Sequence, residues 1–159
     1  MLARWLLLLS CLAAPAAWGE TFTGKVVRIS DGDTLTLLVE RKQIKVRLTE
    51  IDAPESNQAF GQRSRQSLAD LCAAQPATVR SSGKDKYGRV LGRVECKGMD
   101  ANTEQVRRGM AWVYDRYVTD RSLYALQNEA RAAHAGLWAD KTPTAPWLWR
   151  SQQKAAAKP

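Results

Sequence analysis

Three strand-like runs follow one another within residues 22–49, and this succession constrains the fold more than any other feature of the chain. Phe22 to Ile29 carries Val26, Val27 and Ile29 and breaks at Ser30-Asp31-Gly32, a turn-forming cluster. Thr34 to Val39 is β-branched and apolar, and Arg41-Lys42-Gln43 is polar enough to turn the chain back. Ile44, Val46 and Leu48 then alternate with Lys45, Arg47 and Thr49, the period-two pattern of a strand with one buried face. The alternation sends Arg47 away from the side that carries Val46 and Leu48, toward a groove or solvent.

Pro54 stops the third run. Gln58 to Ala74 places Phe60, Leu68, Leu71 and Cys72 at helical intervals, and Pro76 terminates that segment. Thr78 to Ser81 and Val90 to Cys96 read as two further strands flanking a basic loop, Gly83 to Arg89. Asn102 to Arg108 suits a short helix stopped by Gly109. Asp120 to Ala135 suits a stronger one, with Asp120 as its cap, Leu123 and Leu126 on one face and Gly136 at its end. The order predicts a mainly β protein: a five-stranded Greek-key barrel of the OB type with about three α-helices packed on it. A two-layer α+β sandwich is the alternative. Trp147 and Trp149 argue that Pro146 to Arg150 docks on the body, whereas Ser151 to Pro159 reads as a disordered tail, so the domain spans residues 20–150.

The chain has 159 residues, which suits one domain with a real core. Its first 19 residues stand apart: Arg4 is their only charge, Leu6 to Leu9 and Leu12 to Ala14 are apolar, and Ala17-Trp18-Gly19 is a small-x-small cleavage pattern. They read as a secretory signal peptide, implying an exported protein, periplasmic or secreted, with no membrane attachment after cleavage. An N-terminal membrane anchor is the alternative, disfavoured because the apolar run falls short of the roughly 20 residues that span a bilayer. Removing the leader also removes Cys11 and leaves Cys72 and Cys96, which in an oxidising compartment either pair or stay as two buried thiols. The formal net charge of +8, one less without Arg4, favours a polyanionic partner, although solubility alone accounts for such a balance equally well. His134 is the only histidine and no Cys-x-x-Cys occurs, which disfavours a zinc site and leaves serine or threonine nucleophiles without a base.

Two runs carry the chemistry. Asp31-Gly32-Asp33-Thr34 and Arg47-Leu48-Thr49-Glu50-Ile51-Asp52-Ala53-Pro54-Glu55 gather acids and an arginine beside strand ends. Such a set can hold a hard cation, activate a water and grip a phosphate. Lys84-Asp85-Lys86-Tyr87-Gly88-Arg89 adds a second arginine with an aromatic neighbour, the combination that phosphate and base contacts use. Read singly, Asp31-Gly32-Asp33 is an ordinary turn and Lys84 to Arg89 a solvated loop.

Taken in order, these runs resemble the staphylococcal (micrococcal) nuclease family over roughly Thr23 to Trp138, and Pro146-Trp147-Leu148-Trp149-Arg150 is similar to endings found in bacterial members. The resemblance implies an OB barrel and calcium-dependent hydrolysis of DNA and RNA, leaving 3′-phosphate and 5′-hydroxyl ends. It implies a metal set of Asp33, Asp52 and the carbonyl of Ala53, where the family commonly has threonine. Glu55 is implied as the general base, and Arg47 and Arg89 as catalytic phosphate ligands. Lys86 and Tyr87 are implied as contacts to a neighbouring phosphate and sugar, and Tyr114 as a stacking contact. The resemblance also places Asp31 close to the metal, acting through water. The expected substrate is single-stranded or locally open nucleic acid, and the expected state a monomer. A binding module on the same barrel, without cleavage, is the competing reading.

Overall fold

The computed structural model describes residues 19–157; nearly all of the expected signal peptide lies outside the described residues. Among the described residues eight strands and four α-helices run in the order β1 (Thr21–Asp31), β2 (Thr34–Val39), β3 (Lys42–Leu48), β4 (Ile51–Asp52), α1 (Gly61–Cys72), β5 (Pro76–Lys84), β6 (Val90–Cys96), β7 (Met99–Asp100), α2 (Ala101–Arg107), β8 (Trp112–Val113), α3 (Leu123–Ala132) and α4 (Pro146–Ala156). A short 3-10 turn, Gly136–Ala139, lies between the last two helices. Strands β3, β2, β1, β5 and β6 are neighbours in that order, and β3 closes on β6 to make the five-stranded barrel. Among the described strands only the closing pair, Val46 to Val90 and Leu48 to Gly92, is parallel. The expected OB-type barrel is therefore present.

The alternation in the sequence decides what fills the barrel. Val26, Leu35, Leu37, Val46, Leu48, Val79 and Val94 all turn inward and are essentially inaccessible. Leu68 and Leu71 of α1 close one side of the same core. Each such side chain contributes roughly 1.5–3 kcal/mol by leaving water. Cys72, ending α1, is bonded to Cys96, ending β6, with Cα atoms 5.4 Å apart and 24 positions apart in sequence. The bridge thus ties the helix that follows the acidic loop to the wall of the barrel.

Several boundaries differ from expectation for local reasons. Helix α1 begins at Gly61 rather than Gln58, because Gln58 and Phe60 form the entry turn and Phe60 takes φ 65°. Pro76 opens β5 instead of merely ending a helix, lying opposite Lys25 on β1. Helix α3 starts at Leu123; the Asp120 carboxylate bonds the amide and hydroxyl of Ser122 ahead of the first turn. The largest difference is at the C-terminus. The run expected to be a disordered tail from Ser151 continues α4 to Ala156, since Pro146 begins a helix well and the alanines, glutamines and lysine that follow sustain one. Its residues beyond Arg150 are exposed. Among the described residues no helix is long and apolar enough to cross a membrane.

Candidate active site

The acidic turn after β1 is pinned by close packing. A Cβ on Gly32 would lie 1.8 Å from Ser64 Oγ and 2.9 Å from Ala53 Cβ, so only glycine lets the turn sit against α1 and the β4 exit. Gln105, fully buried on α2, donates to the Gly32 carbonyl at 2.6 Å and to the Ser64 carbonyl at 3.0 Å, fixing the turn from the other side. Asp33 follows and is buried. Its Oδ1 accepts from the Thr34 hydroxyl at 3.0 Å and its Oδ2 from the Ala53 amide at 2.7 Å.

Register brings the arginine to these acids. Thr34 on β2 lies opposite Arg47 on β3. Arg47 Nη2 reaches Asp33 Oδ2 at 3.2 Å and Asp52 Oδ1 at 2.9 Å, while its Nη1 donates to the carbonyls of Leu48 and Ile51 at 2.6 and 3.1 Å. The side chain points away from the barrel core, as the alternation predicts, and lands in a pocket of carboxylates. Asp52 is 1 % exposed. Burial pushes the Asp33 carboxyl up to about 8; Arg47 pulls the other way, and Asp31 and Asp52 add to the rise. The rise is chiefly an effect of burial that Arg47 only partly offsets.

Glu55 lies three residues beyond Asp52 and is half-buried; its amide donates to Gln58 Oε1 at 3.1 Å. Gln58 Nε2 in turn donates to the Thr144 carbonyl at 2.7 Å, tying the Glu55 loop to the segment that leads into α4. The fourth helix delivers a residue that sequence reading did not place in the site. Arg150 Nη2 contacts Asp52 Oδ2 at 2.7 Å, and Nη1 contacts both Glu55 Oε1 at 2.7 Å and Asp52 Oδ1 at 3.2 Å. Burial works against the charge on Arg150, but its bonds to Asp52 and Glu55 outweigh that and hold it above its ordinary value. The Pro-Trp-x-Trp-Arg signature contained this residue, yet nothing in the spacing tied it to acids almost a hundred positions away.

Arg89 is placed differently. It precedes Val90, the partner of Val46 in the barrel closure, so its backbone adjoins the strand that carries Arg47. Its guanidinium is held by Asp85, with Nε 2.7 Å from Oδ2, and contacts none of Asp33, Asp52 or Glu55. Tyr87 is 73 % exposed at the hairpin tip, with Lys86 Nζ 5.1 Å and the Arg89 guanidinium 5.6 Å from its ring. Tyr114 has one face covered: Trp147 stacks on it at 5.3 Å, and Tyr117 meets it edge-on at 5.2 Å. The structure thus assembles Asp33, Arg47, Asp52, Ala53 and Glu55 in one place, leaves Lys86, Tyr87 and Arg89 on an adjoining hairpin, and builds Tyr114 into the seat of α4.

The donor set suits a hard cation. Asp33 and Asp52 converge on one guanidinium nitrogen, and each offers carboxylate oxygens. Among the described residues no group of three or more acidic, histidine or cysteine side chains is disposed to hold a metal ion. Two carboxylates and one backbone carbonyl fit such an ion only if water or substrate completes its shell.

A closed OB-type barrel with acids and arginines gathered at one end defines a class, and the comparisons narrow it to a family. Residues 45–140 match the family model described as staphylococcal nuclease homologue. An uncharacterized endonuclease of Escherichia coli is 46% identical over 131 residues, covering 82% of this chain and 86% of its own. A micrococcal nuclease of Shigella flexneri is 46% identical over 151 residues, covering 88% of this chain and 86% of its own. An uncharacterized endonuclease of Haemophilus influenzae is 45% identical over 155 residues, covering 97% of this chain and 86% of its own. The chain belongs to the staphylococcal nuclease family.

Proposed function

We propose that this protein is an exported endonuclease that hydrolyses DNA and RNA with calcium, acting as a monomer on single-stranded or locally open nucleic acid. One observation carries the reading: two carboxylates suited to a cation, an arginine and a further carboxylate converge within hydrogen-bond distance of shared guanidinium nitrogens. The nuclease relatives support the activity, and the +8 net charge supports the polyanionic substrate.

In this reading Asp33, Asp52 and the Ala53 carbonyl hold calcium, which when bound supplies Lewis acidity and a place for a phosphate oxygen. Glu55 accepts the proton of the attacking water, and Pro54 fixes the backbone between it and Asp52. Arg47, anchored by two carbonyls and two carboxylates, presents a pre-set donor to the phosphate and meets the charge that builds as water attacks phosphorus in line with the leaving 5′ oxygen. Arg89 supplies a second guanidinium from the adjoining hairpin once it turns from Asp85. Lys86 and Tyr87 hold the neighbouring phosphate and sugar, leaving base identity largely unread. Tyr114 contributes its remaining face or edge.

The test is cleavage of single-stranded DNA and RNA by purified protein with calcium and with excess chelator. Calcium-dependent cleavage leaving 3′-phosphate and 5′-hydroxyl ends is expected. Cleavage that ignores the chelator overturns the metal assignment, and binding without cleavage favours the non-catalytic module.

A further inference from the structure

We propose that Arg150 is a positioning residue of the site: it is the resident counter-cation of Asp52 and Glu55, and it leaves Asp52 when a divalent cation takes that carboxylate as a ligand. The inference rests on the calcium reading above and adds a residue to which that reading gives no role.

The contacts show why Arg150 is the one that moves. Both oxygens of Asp52 already accept from guanidinium groups: Oδ1 from Arg47 and Arg150, Oδ2 from Arg150. A cation ligated by Asp52 therefore competes with these arginines for the same oxygens. Arg47 has a side chain 14 % exposed, and besides its carboxylates it is bound to two backbone carbonyls. Arg150 has a side chain 38 % exposed, and its hydrogen bonds go to Asp52 and Glu55 alone. Two of the three bonds that hold Arg150 go to Asp52, where an incoming cation competes, whereas the two carbonyl bonds of Arg47 lie outside that competition. Like charge also separates Arg150 from a divalent ion at Asp52.

Arg150 is also the cation that holds Glu55: among the described residues no other basic side chain forms an ion pair with it. One nitrogen touches Asp52 and Glu55 together, so the guanidinium keeps a metal ligand and the general base side by side that would otherwise repel each other. Its helix is seated independently of these bonds. Trp147 stacks on Tyr114 and meets Trp112 edge-on at 5.8 Å, and Gln58 clamps the approach through Thr144. Helix α4 can thus keep its place while the side chain changes partner. Because two ligands that compete for one group lower each other's affinity equally, loading of the site and engagement of Arg150 are linked.

Calcium binding to the purified full chain without nucleic acid, measured by calorimetry, tests this directly. Arg150→Gln is expected to bind calcium about tenfold more tightly than the wild type, within the usual range of such couplings. Arg150→Lys, which keeps the charge but not the fork, is expected to fall between them. Equal or weaker calcium binding by Arg150→Gln overturns the inference while leaving the calcium reading intact. Absence of binding by wild type and both variants overturns the calcium reading itself, and the inference with it.

Discussion

Two ionic clusters meet at the β3–β4 turn and are assembled from the same residue types, yet they offset burial to different degrees. In one, Arg93 of β6 donates through Nε to Asp100 at 2.9 Å, through Nη1 to Glu50 at 2.8 Å and Asp120 at 3.2 Å, and through Nη2 to Asp100 and Thr103 at 3.1 and 2.8 Å. Glu50, in the turn between β3 and β4, accepts three more bonds on its other oxygen, from the Thr119 amide and hydroxyl and the Asp120 amide. Burial works to raise the Glu50 and Asp100 carboxyls, but these bonds win and hold both below their ordinary values; Asp120 is lowered chiefly by Ser122. In the other cluster Asp33 is pushed up to about 8 despite Arg47. A scaffold cluster satisfies its own charges. At Asp33 burial is the larger effect and Arg47 offsets only part of it.

The sharpest way to separate the two is to change one acid at the site. Glu55→Gln is expected to lower turnover by about 10²- to 10⁴-fold while retaining substrate binding, the range for loss of a general base. Full turnover in that variant removes Glu55 from the role.

The pH dependence of stability without metal has opposite signs in the two clusters. Asp33 has a folded-state pKa of about 8, above its ordinary 3.8, so the folded chain holds a proton that the unfolded chain has lost. Its contribution is present below pH 4 and is lost as pH rises toward 8, by at most about 1.4 kcal/mol per unit. Glu50, Asp100 and Asp120 are lowered, so their contribution is present above their ordinary values and is lost on acidification. Denaturant midpoints of the calcium-free protein are expected to decline from pH 5 to 8, and Asp33→Asn is expected to flatten that decline. An unchanged slope in the variant assigns it to another group.

Smaller effects belong to the scaffold. Reduction of the Cys72–Cys96 bridge is expected to cost about 3 kcal/mol, read as a lowered melting temperature. An unchanged melt shows that the bridge does not constrain the chain. Arg93→Gln is expected to cost about 2 kcal/mol, below the 3–5 of a fully buried pair because the side chain is 22 % exposed. Turnover per folded molecule should stay near that of the wild type; a large loss there dissolves the distinction between the clusters.

How far the sequence revealed all this follows from the range of each interaction. The barrel strands were legible because period-two alternation is local, and the same alternation placed Arg47 on the side where Asp33 and Asp52 meet it. The acids were legible because their turn and strand ends are local too. Arg150 was not, since its partners lie across the fold and only the docking of α4 brings them together. The helical extension to Ala156 was missed because a run of Ala, Gln and Lys suits a solvated helix as well as a tail. Arg89 and Tyr114 show the converse: their positions were legible, but the partners that now hold them, Asp85 and Trp147, were not.

The central claim is that the Asp33–Asp52 cluster is completed by a divalent cation. Thermal unfolding of wild type and Asp52→Asn, with and without calcium at about 10 mM, above the 10⁻⁴–10⁻³ M range of weak calcium sites, tests it most directly. Calcium should raise the melting temperature of the wild type and leave Asp52→Asn unmoved. An equal rise in both proteins, or none in the wild type, contradicts the claim.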